Sequence, residues 1–168
     1  MCIRDRVKTV IAYLSGGMEH ADNDGEDWRK EITQWLNESL EHNVIDPVIE
    51  SKKLITDNNA KDFRNWKESD PDRFIEFIRL AIKKDLDGVV RKADYIICLW
   101  DKSILKGGGT HGEVTLAYYN RKPIYLVNQL PITDLSGWIM SCATDIVNDF
   151  ESLKKLLYNK YHNVNDRS

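Results

Sequence analysis

Apolar residues along the chain alternate between short β-rich runs and longer repeats at three- and four-residue steps. Positions 7–14 form a β-rich run that ends at Ser15-Gly16-Gly17, the pattern of a buried strand entering a tight loop. After a polar loop over 19–27, Trp28, Ile32, Trp35, Leu36 and Leu40 recur at helical spacing. Positions 44–48 read as a short second strand broken by Pro47, and 50–69 as a polar insertion or lid with one short helix over 60–66. Asp70 and Pro71 supply an N-cap and a first helical residue. The helix they open carries Phe74, Phe77, Ile78, Ala81, Ile82, Leu86, Val89, Val90 and Ala93 on its apolar positions. The run 94–100 is apolar on both faces, which predicts a central strand. Lys106 and the glycines 107–109 lead into a helix over 110–119, followed by a fourth strand at 123–127. A short helix within 130–140, a weak fifth strand at 145–147 and an amphipathic helix over 149–158 complete the pattern.

Strand–helix alternation of this kind predicts a flavodoxin- or Rossmann-like α/β fold. The expected sheet has five mostly parallel strands in the order 2-1-3-4-5, with helices on both faces. Ligands of such sheets bind beyond the carboxyl ends of the strands, where the strand order reverses. The two glycine loops follow the first and third strands, the neighbours at that point, so together they predict a pocket.

Composition narrows the class. A length of 168 residues fits one domain over 1–168, and 42% hydrophobic residues match an ordinary folded chain. No apolar run approaches the ~18–20 residues of a membrane span. The net charge of −3 argues against a nucleic-acid polymer as partner. Cys2, Cys98 and Cys142 are too widely spaced for a disulfide framework, and Cys98 lies in an apolar run where an inert core thiol is expected. His20, His42, His111 and His162 show no paired ligand spacing, so neither metal nor cofactor is expected. No secretory signal is visible, and a cytoplasmic location is expected. Residues 1–6 resemble a translated sequencing adapter and read as a non-native leader.

Three side chains carry the candidate chemistry. Asp85 falls inside the apolar stripe of its helix, seven residues after Ile78 and three after Ile82, whereas Asp87 points almost the opposite way. A carboxylate in that position either meets a partner such as Arg79 or Lys92 at the stripe's edge or faces a ligand cavity. Glu113 closes the stretch Gly107-Gly108-Gly109-Thr110-His111-Gly112-Glu113. Thr110 and Glu113 have the spacing of a capping box, yet three successive glycines exceed what a cap requires and leave room for a ligand against the backbone. Tyr13 closes the first strand as packing or as a site residue. His111 is a polar neighbour of Glu113, and Trp28 and Trp66 flank polar loops where they serve as core or stack on a base.

Tyr13-Leu14-Ser15-Gly16-Gly17-Met18, Lys84-Asp85-Leu86-Asp87-Gly88-Val89 with Ala93-Asp94, and Gly109-Thr110-His111-Gly112-Glu113 with Ala117-Tyr118 and Arg121-Lys122-Pro123-Ile124 stand in register. Over roughly 7–127 this resembles the nucleoside 2-deoxyribosyltransferase-like superfamily, which includes N-glycosidases of nucleoside 5′-monophosphates. The resemblance implies that Glu113 is the nucleophile, that Asp85 contacts or protonates the leaving base, and that Tyr13 orients Glu113. It implies a sugar-binding loop at Ser15, Gly16 and Gly17, with Gly108, Gly109, Thr110, His111 and Trp28 as further substrate contacts. It also implies a small-molecule nucleoside or nucleotide substrate and a homo-oligomer. Two positions depart from the pattern. Gly107 stands where transferases carry an acidic residue, and Gly17-Met18-Glu19 lacks the first-loop arginine of some monophosphate hydrolases. Other functions compatible with the residues are a non-catalytic nucleotide sensor or sponge and an NAD-cleaving enzyme of similar fold.

Overall fold

The structure, a computed structural model, describes residues 8–165; the expected leader 1–6, Val7 and Cys2 within it lie outside the described residues. The elements are β1 (Ile11–Ser15), α1 (Glu26–Leu40), β2 (Asn43–Ile45), α2 (Pro47–Asp57), α3 (Phe63–Ser69), α4 (Pro71–Asp87), β3 (Tyr95–Trp100), α5 (Gly109–Tyr119), β4 (Ile124–Asn128), α6 (Gly137–Cys142), β5 (Asp145–Val147) and α7 (Phe150–Asn165). A single π turn, Gly88–Lys92, carries α4 toward β3.

All pairings in the five-stranded sheet are parallel, and the order is β2-β1-β3-β4-β5. This is the expected α/β fold with the expected order, and β1 and β3 are interior neighbours. Every residue of β3 is buried, which is why it reads as apolar on both faces. Successive side chains of β1 and β3 enter opposite layers. Tyr13, Ile96, Cys98 and Trp100 pack with Val89, Val114, Ala117 and Ile139. Ala12, Leu14, Tyr95, Ile97 and Leu99 pack with Ile32, Leu36 and Leu40 of α1 and Leu153 and Leu157 of α7. The first layer holds Tyr13 on the same side of the sheet as α5.

The stretch 44–69 departs from expectation. Pro47 does not break a strand; it is the first residue of α2, whose N-cap Asp46 accepts the Val48 N–H at 2.9 Å. β2 therefore ends at Ile45. The insertion 50–69 is mostly helical, and its second helix begins at Phe63, after the expected start at 60. Together α2 and α3 bury a satellite cluster against α4, in which Ala60, Trp66 and Phe77 gather Leu54, Ile55, Phe63, Phe74 and Ile78. Trp66 is thereby core, with the Arg73 guanidinium 3.7 Å above its ring, and not a free stacking platform. Ile82, expected in the buried stripe of α4, is about half exposed, like Ile75 one heptad earlier. β1 starts at Ile11, where the Asp94 carboxylate accepts the Ile11 N–H at 2.8 Å. The closing helix runs beyond 158, and α6 begins at Gly137 within the expected short helix.

Candidate active site

Tyr13 and Ser15 are alternate residues of β1 and face the same layer, which brings them to the first turns of α5. The Ser15 hydroxyl donates to Glu113 Oε1 at 3.2 Å in a buried setting. The other oxygen, Glu113 Oε2, is buried without a hydrogen-bond partner, and so is the Tyr13 hydroxyl beside it. Burial pushes the Glu113 carboxyl up to about 7, and the negative charge of Asp85 adds to this. Tyr13, Ser15 and Arg29 pull the other way. Burial pushes Asp85 up to about 6, against the pull of Arg29 and Lys84. Burial, followed by the charges of Glu113 and Asp85, raises the Tyr13 phenol well above its usual value. Three acidic groups thus share one desolvated corner near the carboxyl end of β1, where the charge of Asp85 raises the proton affinity of Glu113 and the charges of both raise that of Tyr13.

The capping box does not form. α5 begins at Gly109 with Gly108 as its N-cap and no side-chain cap, so Thr110 lies inside the helix, buried, and Glu113 turns to Ser15. A Cβ added at Gly107, Gly108, Gly109 or Gly112 would meet nothing within 4 Å, and none of these has positive φ. Neither packing within the chain nor backbone geometry demands glycine there. What remains is free space along the approach to the helix N-terminus. His111 stands edge-on to Trp100, ring centroids 4.8 Å apart, with its Nδ1 buried and unpartnered.

The first glycine loop is held differently. Arg29, fully buried, donates to the carbonyls of Leu14, Gly16, Gly17, Asp24 and Gly25 and lies 3.8 Å from the Asp46 carboxylate. At Gly17 a Cβ would overlap Ser103, so this loop and the segment after β3 approach closely only because residue 17 is glycine. Arg29 was not among the expected site residues. Its signal is the same one that marks Asp85: Arg29, Ile32, Leu36 and Leu40 form the buried line of α1, so a charge sits in an apolar stripe.

Trp28 is not brought to Glu113. It packs beneath Gly16, stacks on Phe150 at 5.6 Å, and lines a separate cavity of about 520 Å³ with Gly17, Leu99 and Asp101. Asp85 and Gly109 instead border a cavity of about 260 Å³ enclosed by α2, α3 and α4. Asp85 takes part in no salt bridge among the described residues; Lys84 beside it pairs with Glu50 at 2.6 Å, and Asp87 pairs with Arg91 at 3.7 Å. Arg79 and Lys92 do not engage it.

Among the described residues no group of three or more His, Cys, Asp or Glu could hold a metal ion, and no helix is long and apolar enough to cross a membrane. No family model and no curated protein sequence matches the chain. Among solved structures it is similar to a 2-deoxyribosyltransferase from Bacillus psychrosaccharolyticus, with a TM-score of 0.62 and 16% identity over 86% of this chain and 90% of the other. At that identity the likeness is one of fold.

Proposed function

We propose that this chain cleaves the N-glycosidic bond of a nucleoside or nucleotide, with Glu113 as nucleophile, and passes the sugar to water or to a second base. The observation that carries the reading is the Glu113 carboxylate: one oxygen is fixed by Ser15, and the other is buried and unpartnered beside Tyr13 and within the field of Asp85. A purely structural carboxylate would have both oxygens satisfied, because burying an unpaired one costs free energy.

The chemistry follows from the groups present. As the C1′–N bond breaks, its electron pair leaves with the base, and the Asp85 carboxyl supplies the proton that makes the base a better leaving group. Glu113 Oε2 stabilises the oxocarbenium character that develops at C1′ and then bonds to it, forming a glycosyl ester. Water or an acceptor base then attacks C1′, the ester pair returns to Glu113, and the acceptor's proton passes to Asp85. The Tyr13 phenol, kept neutral by burial and lying beside Oε2, is placed to donate to it and orient it once substrate enters. Ser15 fixes Oε1, and Gly16 and Gly17 shape the loop against the sugar. The glycines 108 and 109, with Thr110 and His111, form the opposite wall.

The fold likeness to a 2-deoxyribosyltransferase supports the same class of chemistry. The decisive experiment incubates the protein with nucleosides, nucleoside 5′-monophosphates and NAD and follows free base by chromatography, alone and with an acceptor base. Wild type releases base, and Glu113→Gln is slower by roughly a thousandfold or more while it still binds ligand. Wild-type turnover in Glu113→Gln would sink the assignment.

A further inference from the structure

The cavity beside Asp85 is built for more than a bare base. Its deep wall is formed by Leu54 of α2, Phe63 of α3, and Phe74, Phe77 and Ala81 of α4, none of which offers a polar side-chain atom. Three of the charged residues at its rim are engaged, Lys84 with Glu50 at 2.6 Å and Arg64 with Asp24 at 3.0 Å, and Glu19 lies 3.8 Å from the His20 ring on the loop after β1. Asp85, the Ser51 hydroxyl and the backbone of Gly109 are left to meet a polar ligand edge. The site is therefore amphipathic, polar at Asp85, whose charge is felt by Glu113, and apolar and aromatic at Leu54, Phe63, Phe74 and Phe77. A plain purine or pyrimidine carries heteroatoms around most of its ring. Pushed against the deep wall, those atoms would lose water without gaining a partner. Held back at Asp85, the base would leave much of the roughly 260 Å³ unfilled and forfeit the dispersion contacts of the aromatic lining.

We propose that this subsite takes a nucleobase bearing an apolar substituent, aryl or alkyl, with the ring's polar edge at Asp85 and the substituent seated among Leu54, Phe63, Phe74 and Phe77. This rests on the glycosidic reading of Glu113 and Asp85 and adds the class of leaving group. The helices α2 and α3, which supply Leu54 and Phe63 to the wall, thereby act as a specificity element.

Calorimetric titration with free bases tests the subsite independently of catalysis. N6-benzyladenine and 5-benzyluracil are compared with adenine and uracil on wild type and on Ala81→Leu, which fills the cavity from α4 with a good helix former. At least one substituted base binds wild type on the order of a hundredfold more tightly than its parent, as expected for burying an aromatic ring. Ala81→Leu abolishes that difference at an unchanged melting temperature. If Ala81→Leu does not fold, Leu54→Phe fills the same space from α2. Equal binding of substituted and parent bases, including no binding of either, overturns the proposal, and so does a difference that survives both fillings. Tight binding of substituted bases without cleavage of their nucleosides would leave the subsite standing and overturn the catalytic reading instead.

Discussion

Glu113 is a carboxyl group held where the fold prefers it protonated. Its proton affinity is raised from the usual 4.5 to about 7 by burial and by Asp85. The sign of the linkage follows: the native state binds more protons than the unfolded chain between those values. Stability is therefore full below about 4.5 and is lost as pH rises through about 7. The loss amounts to at most about 3 kcal/mol. Glu113→Gln, which cannot ionise, is expected to melt several degrees higher than wild type at pH 8 and to show little gain at pH 4. Thermal unfolding at the two pH values checks this, and a variant less stable at both would mean that Glu113 is structural. The rate has its own signature. Glu113 must be ionised, so turnover rises as pH climbs through about 7; Asp85 must be protonated, so turnover falls as pH climbs through about 6. The required pair is a minority species at every pH, and kcat/KM is expected to follow a narrow bell centred between about 6 and 7. Asp85→Asn lowers the peak and removes the falling limb. A flat profile from neutral to alkaline pH would contradict these roles.

The elements around these residues differ in how openly the sequence announces them. β3 is legible because a strand buried on both faces has no polar alternation to confuse it, and α4 announces its own start with Asp70 and Pro71. Asp85 stands out for the same reason: a charge in an apolar stripe is costly unless the helix faces something other than core. Arg29 obeys that rule equally, but Trp28 and Trp35 drew the stripe of α1 to one side of its true buried line. The segment 44–69 was harder to read because Pro47 suits both a strand end and a helix start. Only the Asp46 cap and the packing of Leu54, Phe63 and Trp66 on α4, all tertiary facts, settle its form. The burial of Arg29 leads to a prediction at this scale. One guanidinium donates to five carbonyls in and after β1 and faces Asp46, so Arg29→Met leaves those acceptors without this donor and the buried Asp46 carboxylate without its opposite charge. Such losses cost about 3–5 kcal/mol, and the melting temperature is expected to fall by roughly 6–20 °C. Arg29→Lys keeps the charge without the fork and is expected to recover stability only in part. If Arg29→Met melts like wild type, the loop is held by other means.

At the scale of the whole molecule, the strand order followed from the alternation of elements, and with it the meeting of both glycine loops at the β1–β3 crevice. Assembly is less legible, because a residue's place on a helix says what it could face but not whether the face is covered. In the structure α4 packs beside α5 and α5 beside α6, with α5 and α6 covering one layer of the sheet. Among their exposed positions are large apolar side chains, Ile75 and Ile82 on α4, Tyr118 on α5, and Trp138 and Met140 on α6, alongside charged residues of α4 such as Glu76 and Arg79. Trp138 is 68% exposed although its indole N–H is anchored at 3.0 Å to the Thr115 hydroxyl on α5, which ties the exposed ring to its neighbouring helix. A chain alone in water gains nothing from presenting a fixed tryptophan amid aliphatic residues, and such a surface is the kind that a second copy covers in a twofold contact. The face adjoins α4 and α5, which hold Asp85 and Glu113, so a partner seated there would also stiffen the walls of the crevice. The expectation is a homodimer at micromolar concentration by light scattering. Trp138→Glu, which places a charge at the centre of that contact, should convert the dimer to a monomer with an unchanged sheet signature in circular dichroism and with reduced turnover. A wild-type protein that scatters as a monomer would remove this expectation. A Trp138→Glu variant that remains a dimer would move the contact to another face.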